Sequence, residues 1–235
     1  MTARHARIIV LALVLSAAAG GAGAGELVLN GGFETGSFAG WTHGAGNTSG
    51  NYNASWADHL VALDCPFAGD YSALLGFKYT NTRANRFGYM YQDVAVPSNV
   101  SRATLFFKFR QQGYDGLQHD PFRMQIRNTA NAVLATVVTF TFSEGGNGFK
   151  DSGWLDDDGA SPAGYGMTSY AGSTVRLYFR QDNLGDNLYE TWAFVDDVSL
   201  VYRKFVDRAV DGAGDDLVGD VGTGAGGYAA RSDEP

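Results

Sequence analysis

The middle of the chain alternates apolar and polar residues, and this period of two predicts β-strands. In residues 103–110, for example, Leu105, Phe107 and Phe109 share one face. Further strands are predicted over residues 27–30, 71–77, 87–96, 122–127, 133–142, 174–180 and 191–202. No window has a helical period, and residues 42–69 and 142–167, which have no regular pattern, are expected to form long loops. The sequence therefore predicts an all-β protein, a single jelly-roll β-sandwich of two antiparallel sheets.

The N-terminus has the composition of a secretion signal. Arg4 and Arg7 precede an apolar run over residues 8–19, which is too short to span a bilayer. Ala22-Gly23-Ala24 then offers small residues for cleavage. We predict a signal peptide over residues 1–24 and a protein that is secreted or held at the cell surface.

The C-terminal segment is acidic and poor in apolar residues. Residues 205–235 contain seven acidic and two basic side chains. Such a segment cannot bury enough hydrocarbon to fold, so we predict a disordered tail after a domain of residues 25–204. The net charge of −8 for the whole chain argues against nucleic-acid binding. We expect no membrane insertion and a monomer, with Cys65, the only cysteine, as a structural thiol.

Two segments near opposite ends of the domain have acidic residues where a strand normally buries hydrocarbon. One is Asn30-Gly31-Gly32-Phe33-Glu34, and the other is Phe194-Val195-Asp196-Asp197-Val198. A buried carboxylate is costly unless it is paired, hydrogen-bonded or bound to a cation. We therefore expect the first and last strands to lie side by side, with their acids sharing a cation, Ca²⁺. The alternative is that these carboxylates cap turns or pair with arginine and lysine without a metal.

Four segments in a fixed order give the chain a family resemblance. They are residues 30–34 with Gly40-Trp41, residues 69–76, residues 91–97, and residues 169–179 followed by 194–200. In these segments the chain resembles the carbohydrate-binding-module and galactose-binding-like jelly-roll superfamily. The resemblance is to cellulose- and xylan-binding modules and to MAM-like modules of secreted bacterial proteins.

This resemblance implies a structural Ca²⁺ between the first and last strands. The implied ligands are Glu34 and either Asp196 or Asp197, with Asp70 able to add an oxygen if its loop lies nearby. The period of two favours Asp196, because it would share a face with Trp192, Phe194, Val198 and Leu200. The opposite register would select Asp197.

Sugar binding needs flat aromatic rings with polar groups beside them, because rings cover the apolar faces of pyranoses. The candidate ligand-binding residues outside the predicted core are Tyr52, Trp56, Tyr114, Gln112 and Trp154. The alternative for each aromatic residue is that it packs a loop onto the sandwich.

The sequence favours a secreted, non-catalytic module that binds a polysaccharide or surface glycan. The first alternative is a MAM-like structural or adhesion module without a sugar site. The second is a glycoside hydrolase on the same scaffold, for which Asp156-Asp157-Asp158 supplies carboxylates. The mature sequence has no metalloprotease motif or Gly-x-Ser-x-Gly motif, so we do not expect an enzyme.

Overall fold

The structure is a computed structural model that describes residues 23–47, 60–62, 65–76, 86–114, 120–141, 149–152, 155–156, 164–184 and 191–205. All of these residues belong to the compact unit Met1–Phe205. Their regular structure is β-strand, apart from a single-turn 3-10 helix at Thr168–Tyr170. Within these ranges there is no helix with the length and apolar character needed to cross a membrane. The predicted all-β class is confirmed.

Thirteen strands lie in the described ranges. In chain order they are β1 (Ala24–Glu26), β2 (Thr42–Asn47), β3 (Leu60–Ala62), β4 (Ser72–Gly76), β5 (Arg86–Ala95), β6 (Val100–Gly113), β7 (Phe122–Asn128), β8 (Val133–Phe140), β9 (Lys150–Asp151), β10 (Leu155–Asp156), β11 (Tyr165–Gly166), β12 (Thr174–Asn183) and β13 (Thr191–Lys204).

The strands form two antiparallel sheets, as predicted. The larger sheet has the order β10-β6-β13-β4-β3, with β1 beside β13 and the two-residue strands β9 and β11 beside β6. The smaller sheet has the order β2-β5-β12-β7-β8. Apart from the β3–β4 and β7–β8 pairs, the strands that lie side by side are not consecutive in sequence.

The hydrophobic core lies between the two sheets. Leu105, Phe107 and Phe109 of β6 are at most 2% exposed, which confirms the face predicted for this strand. Phe109 stacks on Phe122 of the opposite sheet with ring centroids 4.7 Å apart. Phe107 meets Phe179 edge-on at 5.2 Å. Because the alternate residues of these strands point away from the core, each sheet also has an outer face.

The first and last strands lie side by side, which confirms that prediction. Gly25 of β1 lies opposite Tyr202 of β13 in an antiparallel pair. The backbone N–H of Leu27 extends the pairing by donating to the carbonyl oxygen of Leu200 at 3.0 Å.

The prediction of a strand over residues 27–30 is wrong. The strand lies further upstream, at Ala24–Glu26. One oxygen of the Glu26 carboxylate accepts hydrogen bonds from the N–H groups of Leu27 at 2.9 Å and Val28 at 2.7 Å. Asn30 then has a φ of +51°, a left-handed conformation that turns the chain. Bonds from a side chain to the backbone thus accompany the end of this strand.

The expectation that residues 42–69 and 142–167 contain no regular structure is also wrong. The first range includes β2 and β3, and the second includes β9, β10 and β11. Strand β2 has the sequence THGAGN, which lacks apolar alternation and so gives no strand signal. It pairs with β5 along its whole length.

Candidate functional site

The outer face of the smaller sheet brings aromatic and arginine side chains together. Tyr91 lies opposite Tyr178, and the register places three positions of β7 beside the same strand β12. We call this surface the arginine–tyrosine face. It consists of Phe87, Tyr89, Tyr91 and Asp93 of β5, Arg176, Tyr178, Arg180 and Asp182 of β12, and Arg123, Gln125 and Arg127 of β7.

Three tyrosine rings form the centre of this face. Tyr178 lies nearly parallel to Tyr89, with centroids 5.7 Å apart and planes at 16°. It is also nearly parallel to Tyr91, at 6.3 Å and 21°. Tyr89 and Tyr91 are half-buried, whereas Tyr178 is 5% exposed. The rings therefore give the centre of the sheet a rigid, amphipathic surface with hydroxyl groups.

Glycines of β2 allow the outer rings to lie close to the sheet. A Cβ atom on Gly44 would lie 2.7 Å from the hydroxyl oxygen of Tyr89. A Cβ atom on Gly46 would lie 2.1 Å from Cζ of Phe87. Glycine inside a strand is unfavourable on its own, and close approach of another group is a common reason for it. The ring positions thus explain the glycines at positions 44 and 46.

Arginine side chains cover the rings. The guanidinium carbon of Arg127 lies 3.6 Å from the centroid of Tyr178, and that of Arg176 lies 3.8 Å from the centroid of Tyr91. A third guanidinium, that of Arg180, lies 3.6 Å from the ring of Phe87. Such cation–π contacts fix the arginines and point their planar donors along the surface.

A pocket of about 260 Å³ adjoins the arginine–tyrosine face where β2 begins. Tyr91 and Asp93 contribute to its wall, together with Leu29 and Thr42. Gln92 closes its base by bonding to both backbone groups of Leu29, with its Oε1 accepting at 2.8 Å and its Nε2 donating at 3.0 Å. The face therefore continues into a concave site with polar and apolar walls.

Burial shifts the pKa values of titratable side chains on this face. It raises the pKa of Tyr178, although the neighbouring Arg127 and Arg180 oppose the shift. Burial also lowers the pKa of Arg123, Arg127 and Arg180. The pKa of Arg176 instead rises, chiefly through its hydrogen bond to Asp93. The two groups of arginines thus differ in how well the protein stabilises their charge.

Two of the predicted acidic ligands, Glu34 and Asp196, bond to one loop at a second place, which we call the acid seam: Glu34, Asp196 and the loop of residues 67–71. Asp197 is exposed, and Asp70 takes part through its backbone N–H. Asp196 is fully buried, and its Oδ2 accepts the N–H groups of Phe67 at 2.8 Å and Ala68 at 3.2 Å. Its Oδ1 accepts the N–H of Asp197 at 2.7 Å. Burial raises the pKa of Asp196, and these backbone hydrogen bonds only partly offset the effect.

Glu34 binds the other end of the same loop. Its carboxylate accepts the N–H of Asp70 at 3.1 Å and the N–H of Tyr71 at 3.0 Å. A Cβ atom on Gly32 would lie 3.8 Å from Cγ of Glu34 and 3.9 Å from Oδ1 of Asp196, so the two acids are close. In the part of the chain that the structure describes, no group of three or more His, Cys, Asp or Glu residues is arranged to hold a metal.

The predicted orientation of Asp196 is only partly right. Asp196 shares the outer face of the larger sheet with Trp192 and Phe194, which form a separate cluster with Leu74 and Cys65. Val198 and Leu200 face the core between the sheets instead. The change of face occurs at a bulge between Asp196 and Ser199, where Asp197 has a φ of +51° and is exposed.

Two predicted ligand-binding residues lie together at an end of the larger sheet. Tyr114 is 45% exposed, and its ring lies 5.9 Å from Trp192 and 5.5 Å from Phe149. Gln112 is buried, accepts the indole N–H of Trp192 at 3.0 Å and donates to Asp151 at 3.0 Å. Gln112 is thus engaged within the protein, whereas Tyr114 is accessible.

The remaining predicted ligand-binding residues, Tyr52, Trp56 and Trp154, lie outside the described residues. The residues of the arginine–tyrosine face were missed by sequence reasoning. The available signal was the alternation of Phe87, Tyr89 and Tyr91 within one strand, followed by Arg176, Tyr178 and Arg180 in another.

Comparison with known proteins finds matches among solved structures. No model of a protein family matches the sequence, and a search of curated proteins gives no significant match. The structural neighbours include carbohydrate-binding modules named CBM61, CBM16, CBM22 and CBM28, the class that the motifs indicated.

Three neighbours illustrate the range. CBM61 in complex with β-1,4-galactotriose is 15% identical, with a TM-score of 0.43 and coverage of 76% of this chain and 99% of that one. The K3 cleaved adhesin domain of Lys-gingipain from Porphyromonas gingivalis W83 is 15% identical, with a TM-score of 0.48 and coverage of 75% and 99%. The enzymatically active domain of bacteriophage CBA120 tailspike protein 4 is 12% identical, with a TM-score of 0.39. That match covers 76% of this chain and 21% of the tailspike chain, so this protein spans about a fifth of it.

Proposed function

We propose that this protein is a secreted, non-catalytic carbohydrate-binding module that binds a polysaccharide across the arginine–tyrosine face. The observation that supports this most is the set of three near-parallel tyrosine rings, Tyr89, Tyr91 and Tyr178, on the outer face of the smaller sheet. Polar side chains surround these rings on β7 and β12. This combination is what a sugar requires.

The chemistry of the face suits sugar rings in two ways. The half-buried ring of Tyr89 offers aromatic surface for the C–H groups of a pyranose, and the guanidinium groups that lie over Tyr91 and Tyr178 offer donors to its hydroxyl groups. Gln125, Asp93 and the guanidinium groups supply further donors and acceptors beside the rings. The polar groups already bond to one another, as in the Arg176–Asp93 pair at 2.8 and 3.0 Å, so they are oriented before a ligand arrives.

The test is polysaccharide binding by a Tyr89→Ala variant, with Tyr114→Ala as the matched control at the end of the other sheet. We expect wild-type protein to be retarded in affinity gels that contain a soluble polysaccharide. The panel is hydroxyethylcellulose, xylan, galactan, polygalacturonate and alginate. Tyr89→Ala should weaken binding about two- to tenfold, because loss of a stacking ring costs about 0.5–1.5 kcal/mol.

Two other results would place the ligand site elsewhere or show that the protein has none. If Tyr114→Ala abolishes binding and Tyr89→Ala does not, the ligand site is at the end of the larger sheet. If wild-type protein binds none of the five polymers, the proposal is wrong, and an adhesion module without a sugar site becomes the better hypothesis.

We also propose that the acid seam binds a structural Ca²⁺. Asp196 supports this, because a fully buried carboxylate is rare without a cation, and its contacts in the described residues are backbone N–H groups. Glu34 would supply a second carboxylate. Ca²⁺ takes six to eight oxygen ligands, so backbone carbonyls or water would have to complete the shell.

Thermal unfolding in chelator and in millimolar Ca²⁺ tests this proposal. We expect Ca²⁺ to raise the melting temperature of wild-type protein, since an ion that binds only the folded state stabilises it. The shift should vanish in Glu34→Gln. Identical melting curves for wild-type protein with and without Ca²⁺ would show that backbone amides alone satisfy the two acids.

A further inference from the structure

The arginine–tyrosine face is positively charged although the protein is acidic. The whole chain has a net charge of −8. In contrast, this face has four arginines, Arg123, Arg127, Arg176 and Arg180, against two aspartates, Asp93 and Asp182, and so a net charge of +2. A local charge opposite to the net charge of the protein indicates what the surface attracts.

The two aspartates neutralise only part of this charge. Asp93 pairs with Arg176 through two parallel hydrogen bonds of 2.8 and 3.0 Å. Asp182, which is fully buried, pairs with both Arg123 and Arg180. One carboxylate is therefore shared by two guanidinium groups, which leaves one positive charge in excess at this end of the face.

Arg127 provides the second excess charge. Its Nε and Nη2 donate to the amide oxygen of Gln125 at 3.0 and 2.6 Å, and its Nη1 donates to the amide oxygen of Asn131 at 3.1 Å. Both acceptors are neutral, so hydrogen bonds hold the guanidinium in place without cancelling its charge. Arg123 and Arg127 are four residues apart on β7, which places the two excess charges about 13 Å apart along the strand.

Burial lowers the pKa of Arg127, Arg123 and Arg180, so loss of hydration opposes the charge of these three side chains. An anionic ligand beside Arg127 would add the negative charge that its neutral acceptors, Gln125 and Asn131, do not supply.

We infer that the arginine–tyrosine face selects acidic polysaccharides, with Arg127 and the Arg123–Arg180 pair binding anionic groups on separated sugars while the tyrosines contact the rings. The inference rests on the proposed function and specifies its ligand class. A guanidinium group matches the planar carboxylate of a uronic acid and also the oxygens of a sulfate ester, through paired hydrogen bonds. Neutral glucans would supply no negative charge to offset the two excess positive charges.

The experiment compares polymers that differ only in charge. Isothermal titration is carried out with polygalacturonate and with the same polymer after reduction of its carboxyl groups, and dextran sulfate tests sulfate as the anion. We expect wild-type protein to bind polygalacturonate at least about tenfold more tightly than its reduced form, since hydrogen bonds to charged groups are stronger than those between neutral groups. Higher salt should weaken binding of the acidic polymer and leave binding of the reduced polymer unchanged.

Matched variants test whether Arg127 is responsible for the preference for acidic polymers. Arg127→Gln should lower affinity for polygalacturonate about tenfold and leave affinity for the reduced polymer within about twofold. Arg203→Gln makes the same charge change at an exposed position of β13, in the other sheet, and should have no effect. Because Arg127 covers the ring of Tyr178, Arg127→Lys serves as a second variant that keeps the charge and should retain part of the affinity.

Each outcome decides the question. Equal binding of both forms of polygalacturonate, unaffected by Arg127→Gln, would overturn the acidic specificity and leave carbohydrate binding intact. Preference for dextran sulfate, lost in Arg127→Gln but not in Arg203→Gln, would assign sulfate as the anion. Equal losses of affinity in Arg127→Gln and Arg203→Gln would show that the preference depends only on the net charge of the protein. Binding to no polymer of either panel would overturn both proposals.

Discussion

The acid seam and the arginine–tyrosine face both place charged side chains on the outer side of a sheet, but they satisfy those charges differently. At the acid seam, backbone N–H groups of one loop bind Asp196 and Glu34. On the arginine–tyrosine face, the arginines bond to other side chains and lie over aromatic rings.

This difference separates a structural role from a binding role. Backbone N–H groups that donate to a buried carboxylate tie the loop to the sheet, so these hydrogen bonds stabilise the fold. Side-chain contacts on an accessible surface can be exchanged for contacts to a ligand at little cost to the backbone. The comparison therefore predicts that changes at the seam affect stability and changes on the face affect binding.

The largest expected effect is that of Asp196→Ala on stability. The substitution leaves the N–H groups of Phe67, Ala68 and Asp197 without their acceptor, and it should reduce the free energy of unfolding by about 2–3 kcal/mol. Urea denaturation measures this loss. Asp197→Asn is the control, because Asp197 is exposed and asparagine tolerates its left-handed φ, and it should cost less than about 0.5 kcal/mol. Equal losses in the two variants would mean that the buried acid does not hold the loop.

A smaller effect is expected from pH. The pKa of Asp196 in the folded state lies above its ordinary value of 3.8, so between these two values the folded state binds more protons than the unfolded state. In chelator, the contribution of this group to stability should therefore fall as the pH rises above 3.8. Urea midpoints of wild-type protein and Asp196→Asn between pH 3.5 and 6.5 isolate this contribution, with the pH range set by the ordinary carboxyl pKa of ~4.

Repeating the pH measurement in the presence of Ca²⁺ gives a stronger test of the role of Asp196. A bound Ca²⁺ prefers the ionised carboxylate, so saturating Ca²⁺ should reverse the slope for wild-type protein and leave Asp196→Asn less affected. Parallel pH profiles for the two proteins in chelator would contradict the raised pKa of Asp196.

The smallest effect is expected from Gly44→Ala on the arginine–tyrosine face. The new Cβ would lie 2.7 Å from the hydroxyl oxygen of Tyr89, so the ring must shift. We expect about threefold weaker polysaccharide binding, which corresponds to less than about 1 kcal/mol. Gly166→Ala, where a Cβ has no heavy atom within 4 Å, is the matched control and should bind like wild type. A binding loss in both variants would show that the effect does not come from a shift of the Tyr89 ring.

Alternation predicted the strands whose inner faces are apolar. Strands β5, β6, β7 and β12 each begin within three residues of the predicted positions, because one apolar face must be buried. The start of the domain was misjudged because the Glu26 carboxylate bonds to the backbone after β1, and such bonds depend on side-chain geometry. Strand β2 was missed because its glycine and histidine residues give no alternation, and it pairs with β5, which is distant in sequence.

The candidate site was harder to predict than the fold. Tyr89 and Tyr91 alternate with the inward Met90, but both faces of this strand are apolar, so the pattern alone does not say which face is outside. Their grouping with Tyr178 depends on register between strands that are far apart in sequence. The sequence predicted two buried acids near the ends of the domain, but only Asp196 is buried, whereas Glu34 is exposed and bonds to the backbone of the neighbouring loop.

Pairing of β1 with β13 has a consequence for engineering. Ala24 lies opposite Arg203, so the chain enters and leaves the sandwich at neighbouring points. A circular permutant that joins these points with a short linker and opens the chain at the β7–β8 turn, around residues 129–132, should refold into the same sandwich. The same adjacency would let the sandwich be inserted as one unit into a surface loop of a host protein.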